Sequence, residues 1–454
     1  MDKTSKSRVL DMTNGSPFNV VLKFALPLFI GNLLQQFYNL ADTSIAGNIL
    51  GDGALAEIGA TTALYSLITN FAFGLNNGLA LSVSRNFGAG DNKGVKKSVC
   101  WMTVLSMGFA VFLTLVTIIT RYPLLHALQV SDDLMPGAVS YLTVILAGIP
   151  LTMLYNMEAA ILQAVGNSVT PLILLFTSSV LNIGLDIWFM GPLSMGVRGA
   201  AIATVLAQGI SAFLGYIYII RNYEELRISR ESFHVQPTFV TDMLGSGLSM
   251  ALMSAIYNIG SVVLQGSINA LGNVYIAAQV GARRLAEFFY TPGLALGTSI
   301  ATYTSQNYGA GKRKRMMKGI ITAVVLYGIW WIFALIFTFT IAPDVIRLIT
   351  GSKNPEVIRS AAMYLRISIP MIPPMAVLVI LRNALQGMKH LLMPLICSGL
   401  ELLGKIIFAI WAVPVYGYVA VCICEPVTWV VCFIFILCGT FMCRSEFKEE
   451  KCCV

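Results

Sequence analysis

Three stretches of this chain, residues 102–120 (MTVLSMGFAVFLTLVTIIT), 323–342 and 422–442, match the thickness of a bilayer and hold one charged residue between them, Glu425. About 20 apolar residues wound as helix cross a hydrocarbon core. Lipid offers no partner to a peptide N–H or C=O, so such stretches close their hydrogen bonds internally and become helices. The rest of the chain agrees. It is 56% hydrophobic and 11% charged, where soluble domains carry about 25% charge. The expected fold is an all-α polytopic membrane protein.

Apolar stretches set off by polar breaks give about twelve spans, running from 17–46 to 417–442. Positive charge then orients them. Turns after even-numbered spans carry Arg85, Lys93, Lys96 and Lys97, or the run from Lys312 to Lys318, while turns on the other side hold few cations, among them Arg121 and Arg198. Lys and Arg gather in cytoplasmic loops, so both chain ends are expected in the cytoplasm of a bacterial cell whose membrane holds the protein. This distribution accounts for the net charge of +8 without a nucleic-acid partner. The N-terminal segment is polar and lacks the short apolar stretch of a signal peptide. Nine cysteines, eight of them beyond residue 390, show no metal-ligand spacing with histidine and read as structural or incidental.

The chain also repeats itself. SRNFGAGDNKG at 84–94 returns as SQNYGAGKRKR at 305–315, 221 positions later. Tyr141-Leu142, Ile149-Pro150, Leu162-Gln163 and Pro171 recur 223 positions on as Tyr364-Leu365, Ile372-Pro373, Leu385-Gln386 and Pro394. The organisation read from this is an N-terminal tail (1–15), an N-lobe of six spans (16–220), a charged linker (221–238), a C-lobe of six spans (239–442) and a C-terminal tail (443–454). An even number of spans per half gives both copies one orientation, a parallel repeat about an axis along the membrane normal. Paired lobes suit alternating access, in which one cleft opens to either face. A channel is built more simply by subunit symmetry, and a receptor has no use for the duplication.

With these motifs in this order, the chain resembles the multidrug and toxic compound extrusion (MATE) family of secondary antiporters, in its DinF-like branch. FALPLFIGNLLQQFYNLADTSIAGNILG resembles that family's first span, LQAVGNSVTP its turn between spans four and five, and LNIGLDIWFMGPLSMGVRGAAIAT its fifth and sixth spans. The resemblance covers essentially residues 17–442. It implies an ion-coupling site in the N-lobe made by Asp42, Asn182, Asp186 and Thr204, and all four residue types match. Asn182 and Asp186 stand four apart, on one helix face. Two carboxylates together in a desolvated pocket do not both stay ionised, which makes a proton site. The same oxygens also suit Na⁺, and ligand type alone leaves the ion open. A plainer reading is a hydrogen bond fixing span five against span one.

Ionisable groups inside spans are costly and mark candidate sites. In the C-lobe, Glu401 and Lys405 stand four apart and read as a structural ion pair. Glu287 and Glu425 read either as a wall that attracts cationic substrate or as counter-charges to Arg283, Arg284 or Arg382. Span ten has no carboxylate and span seven has Asp242 alone, so the second, C-lobe sodium site found in another branch is not expected. Tyr38, Tyr155, Tyr257 and Phe288 are candidates to hold flat organic cations through their ring faces, with ordinary packing as the alternative. Pro27 is a candidate hinge, because proline removes a helical hydrogen bond. Glu158 in span four has no assigned side.

No GxxxxGK[ST] phosphate loop, HExxH or GxSxG occurs, and the three histidines lie far apart. Neither ATP hydrolysis nor enzymatic chemistry is expected, nor any cofactor. The reading is an antiporter that works as a monomer in the bilayer. It exports organic, often cationic, compounds in exchange for H⁺ or Na⁺. A lipid-linked saccharide flippase and a non-transporting receptor or scaffold are the competing readings.

Overall fold

A computed structural model describes residues 9–352 and 354–447. Most of both tails, Lys353 and the terminal Cys452 and Cys453 lie outside the described residues. The chain runs through α1 (Pro17–Leu50), α2 (Asp52–Gly88), α3 (Asn92–Ala127), α4 (Met135–Ala147), α5 (Ile149–Ala164), α6 (Val169–Met190) and α7 (Gly196–Asn222). Two short 3₁₀ turns follow, and then α8 (Pro237–Ala270), α9 (Asn273–Gly309), α10 (Arg313–Thr340), α11 (Ala342–Thr350), α12 (Pro355–Ser368), α13 (Ile372–Gly387), α14 (Leu392–Ile407), α15 (Val413–Tyr416) and α16 (Tyr418–Met442). No strand occurs among the described residues.

Ten helical stretches among these residues are long and apolar enough to cross a membrane, and α4–α5, bent by 47°, makes an eleventh. The bend falls at Gly148, next to Pro150, whose missing N–H leaves a helix free to kink. The expected eighth span, α9, is the exception on composition. It is 37 residues long but carries Arg283, Arg284 and Glu287, and it ends in a polar stretch of which Ser299, Thr302, Thr304, Ser305, Gln306 and Asn307 are all buried. Polar side chains turned inward cost a span its hydropathy without exposing anything to lipid. Elsewhere the outer faces are apolar: Val111, Phe112, Leu115 and Ile119 form an exposed stripe on α3.

The repeat is written into the backbone. Left-handed residues occur in pairs at the same offset: Gly51 and Gly272 (φ 81° and 102°), Gly90 and Gly311 (70° and 69°), and Gly196 and Gly417 (59° and 60°). One pair is unlike the others. Gly166 (φ 89°) has Lys389 (φ 70°) as its counterpart, so a turn that suits glycine is held in the second copy by a residue for which this conformation costs about 1–2 kcal/mol.

Contacts divide the chain into two compact units, and the division does not follow chain order. One gathers Ile30–Ala251 with the described residues up to Asp11; the other gathers Met12–Phe29 with the described residues from Leu252 on. The lobe boundaries expected at 220 and 239 therefore miss an exchange, because the start of α1 belongs with the second unit and the start of α8 with the first. Within the second unit, basic residues tie the segment before α1: Arg315 Nε donates to the Met12 carbonyl at 3.2 Å and Lys312 Nζ to that of Thr13 at 2.8 Å. Within the first unit, α2 and α3 are joined by interior polar pairs, Ser106 to Asn76 at 2.8 Å and Asn86 to Ser98 at 2.8 Å. Small residues and interhelical hydrogen bonds replace the hydrophobic effect as the cement between helices in lipid.

Candidate functional site

In the first unit, one polar face of α6 carries Ser178, Asn182 and Asp186, four residues apart and all buried. Thr204 meets this face from α7, and Tyr38 and Asp42 reach it from α1. Asp186 is 0% exposed and Asn182 1%. The Asn182 amide satisfies its surroundings in one orientation: its nitrogen donates to Asp186 Oδ2 at 2.8 Å and to the Tyr38 hydroxyl at 3.2 Å, while its oxygen accepts from the Thr204 N–H at 3.1 Å. The Thr204 hydroxyl donates to the Ala200 carbonyl at 3.1 Å. The carboxyls of Asp42 and Asp186 are neighbours here, and two close carboxyls in a desolvated site favour holding one proton between them. Each keeps one buried oxygen, Oδ1, without a partner. Buried polar atoms are normally satisfied, so this pair is open to a further proton or cation. Tyr65 lies just beyond, its backbone carbonyl accepting from the Thr69 hydroxyl at 2.8 Å.

The second unit holds a different cluster. Arg283 NH1 lies 2.5 Å from Glu425 Oε1, and the Tyr364 hydroxyl donates to Glu425 Oε2 at 2.7 Å. Lys405 Nζ lies 3.3 Å from Glu401 Oε1, Arg382 NH1 lies 3.5 Å from Glu401 Oε2, and the ammonium sits 4.3 Å above the Tyr257 ring. Glu287 is mostly exposed and pairs loosely with Arg283 at 3.8 Å. Of the two readings open for Glu287 and Glu425, the geometry is that of counter-charges to Arg283.

The aromatic candidates are placed as follows. Tyr38 stands in the carboxyl site. Tyr155 packs, half-buried, against the apolar core of the first unit. Phe288 belongs to an aromatic group with Phe289 and Trp330, at 5.5 and 5.6 Å between ring centres. The ring of Tyr257 already carries the Lys405 cation. Pro27 lies inside an unbroken α1, two residues before that helix passes from one unit to the other.

Sequence reading did not single out Tyr65, Gln208 or Tyr364 as partners. A signal for the last existed, since Tyr364 is the repeat counterpart of Tyr141, itself buried in the first unit. The same offsets relate the two clusters. Lys405 stands 223 positions after Asn182, Glu401 223 after Ser178, and Glu425 221 after Thr204. What is an open polar site in one unit is a set of closed ion pairs in the other.

Duplicated membrane-spanning halves, with carboxyls left uncompensated inside one of them, define a membrane transporter rather than an enzyme. The MatE family model matches residues 27–188 and again 249–411, and the chain belongs to that family. Among curated relatives, the probable multidrug resistance protein YpnP of Bacillus subtilis is 27% identical over 311 residues, covering 68% of this chain and 69% of that protein. The probable multidrug resistance protein NorM of Thermotoga maritima is 24% identical over 395 residues, 84% of this chain and 82% of its own. A crystal structure of MATE in complex with MaL6 shares the fold, with a TM-score of 0.89 at 22% identity, over 99% of this chain and all of that one.

Proposed function

We propose that this transporter is an antiporter that exports organic, often cationic, compounds, driven by proton entry at the Asp42–Asp186 pair. Both termini would face the cytoplasm, and a single chain would form the working unit. The observation that carries the reading is a pair of neighbouring carboxyls, Asp42 and Asp186, each with one buried oxygen that has no partner. In lipid such a group is too costly to keep unless it is used. Protons are favoured over Na⁺ because Asn182 turns its amide nitrogen, a donor, toward Asp186 and Tyr38, where a sodium shell needs oxygens. Curated relatives named for multidrug resistance support the substrate class.

In this scheme, an external proton neutralises one negative charge of the pair. The hydrogen bonds linking α1 to α6 and α7 then rearrange, substrate leaves outward, and the proton leaves inward once the access changes. The test is export of a fluorescent organic cation from proteoliposomes under a pH gradient or a Na⁺ gradient imposed separately. Wild type should respond to the pH gradient, and Asp42→Asn/Asp186→Asn should lose at least about a hundredfold in rate, as expected of a positioned proton-transfer group. Flux driven by Na⁺ alone would replace the proton with sodium at this site. Undiminished flux in the double variant would remove the site.

A further inference from the structure

The coupling pair lies toward one end of its lobe, and a proton bound there still has most of the membrane to cross. A second carboxyl is buried in the same unit. Glu158 of α5 is 2% exposed, and neither of its oxygens has a hydrogen-bond partner. Its carboxyl lies against the bare backbone of Gly215 on α7, a place where any side chain would displace it, and Leu174 of α6 closes the same spot.

Gly215 belongs to a stripe. Thr204, Gln208, Ser211, Gly215 and Tyr218 recur at intervals of four, three, four and three residues, along one face of α7. At its upper end the stripe begins in the coupling site, where Asn182 accepts from Thr204. Gln208 accepts from Thr152 at 2.5 Å. The hydroxyls of Ser211 and Tyr218 are buried and unpartnered, like Glu158 between them. At its lower end, Tyr218 packs edge-on against Tyr223 at 6.1 Å, whose hydroxyl accepts from Asn167 at 2.8 Å in the turn that follows α5. Two helices give the depth independently. Gly215 stands 11 residues beyond Thr204 and Leu174 stands 12 before Asp186, which at 1.5 Å per residue is about 16 to 18 Å. No single transfer covers that distance, since a proton passes between groups in hydrogen-bond reach or across one water.

We propose that Glu158 is the second proton-carrying carboxyl of the transport cycle, a relay station between the Asp42–Asp186 pair and the cytoplasmic end of the α5–α6–α7 bundle. This rests on the pair being the coupling site. The proton leaves the Asp pair, which regains one negative charge, and passes along the α7 stripe to the Glu158 carboxylate, which becomes neutral. Glu158 then yields it to cytoplasmic water past Tyr218 and Asn167 and is charged again. The ionisable groups that the neighbouring helices bury are Arg85 of α2, Cys100 of α3, Tyr141 of α4 and Asp186 of α6, with Tyr155 on α5 itself and Tyr218 half-buried on α7. None hydrogen-bonds to Glu158, so its charge is free to come and go. The second half has Leu381 at the corresponding place, which confines the relay to the lobe that holds the coupling pair.

Glu158→Gln keeps the shape of the side chain and removes its proton chemistry. In proteoliposomes it should slow pH-driven export by about a hundredfold while the dissociation constant for a fluorescent organic cation stays within about twofold, and Glu158→Asp should restore part of the rate. Infrared difference spectra of the purified protein across a pH titration supply a readout that a packing role would not move. The wild type should show a protonated-carboxyl band that is absent from Glu158→Gln and retained in Asp42→Asn/Asp186→Asn. Export by Glu158→Gln at the wild-type rate, or identical carboxyl bands in the two proteins, overturns the relay. If the Asp double variant also exports normally, the coupling reading has failed first; if it is dead while Glu158→Gln is normal, the relay alone has failed.

Discussion

Asn182 and Lys405 occupy the same place in two copies of one ancestral sequence, and they impose opposite electrostatics. Around Asn182, the carboxyls of Asp42 and Asp186 meet no fixed cation among the described residues. Around Lys405, which is 1% exposed, Glu401 is held from two sides, by Lys405 itself and by Arg382. Removing one partner of a buried ion pair strands the other, at about 3–5 kcal/mol, whereas replacing both with apolar groups often costs little. Glu401→Gln should therefore lower the unfolding midpoint in detergent sharply, and Glu401→Gln/Lys405→Met should recover much of the loss. A double-mutant cycle by thermal unfolding checks it, and additive effects of the two changes would deny the pairing. The i,i+4 spacing of Glu401 and Lys405 was legible in the sequence because it lies along one helix. The pairing of Arg382 with Glu401 and of Tyr364 with Glu425 was not, because these partners come from different helices, and which faces meet is decided by packing rather than spacing.

Among the elements, α1 carries the heaviest demand. It is a single helix of 34 residues whose two ends belong to different compact units, with the change two residues after Pro27. A proline inside a helix forfeits one backbone hydrogen bond and weakens the helix there. Pro27→Ala should raise the thermal midpoint and lower export by about tenfold or more, provided motion at this point is part of the cycle. Thermal unfolding and flux measured on the same preparation check it, and unchanged flux would make Pro27 a static kink. The apolar runs that define α3, α10 and α16 are visible in composition alone. The exchange of α1 and α8 between units is not, because charged loops mark where a chain leaves the membrane and carry no record of which bundle a helix then joins. The span of α9 was legible from its place in the repeat although its polar interior lowers its hydropathy: its Ser, Thr and Gln side chains are inward, and a hydropathy window cannot tell inward from outward.

For the whole molecule, duplication has produced two halves whose polar interiors differ. One keeps titratable groups open, and the other has its charges locked to each other. The turns at Gly166 and Lys389 show how far the copies have drifted while keeping one backbone. Each half nonetheless lends the start of its first helix to the other's unit. Two chains made by cutting between the two 3₁₀ turns of the linker, near Ile228, should each fail to accumulate when expressed alone, and should restore export when expressed together. A lone half that purifies as a monodisperse folded protein would contradict this. The exchange also bears on ancestry. A primordial half-length protein would have had an opening helix whose start had no bed within its own bundle, so it would have lived as a pair of helix-sharing twins, each completing the other. Gene fusion then did not invent the partnership; it made permanent a mutual loan that neither sister could have called in.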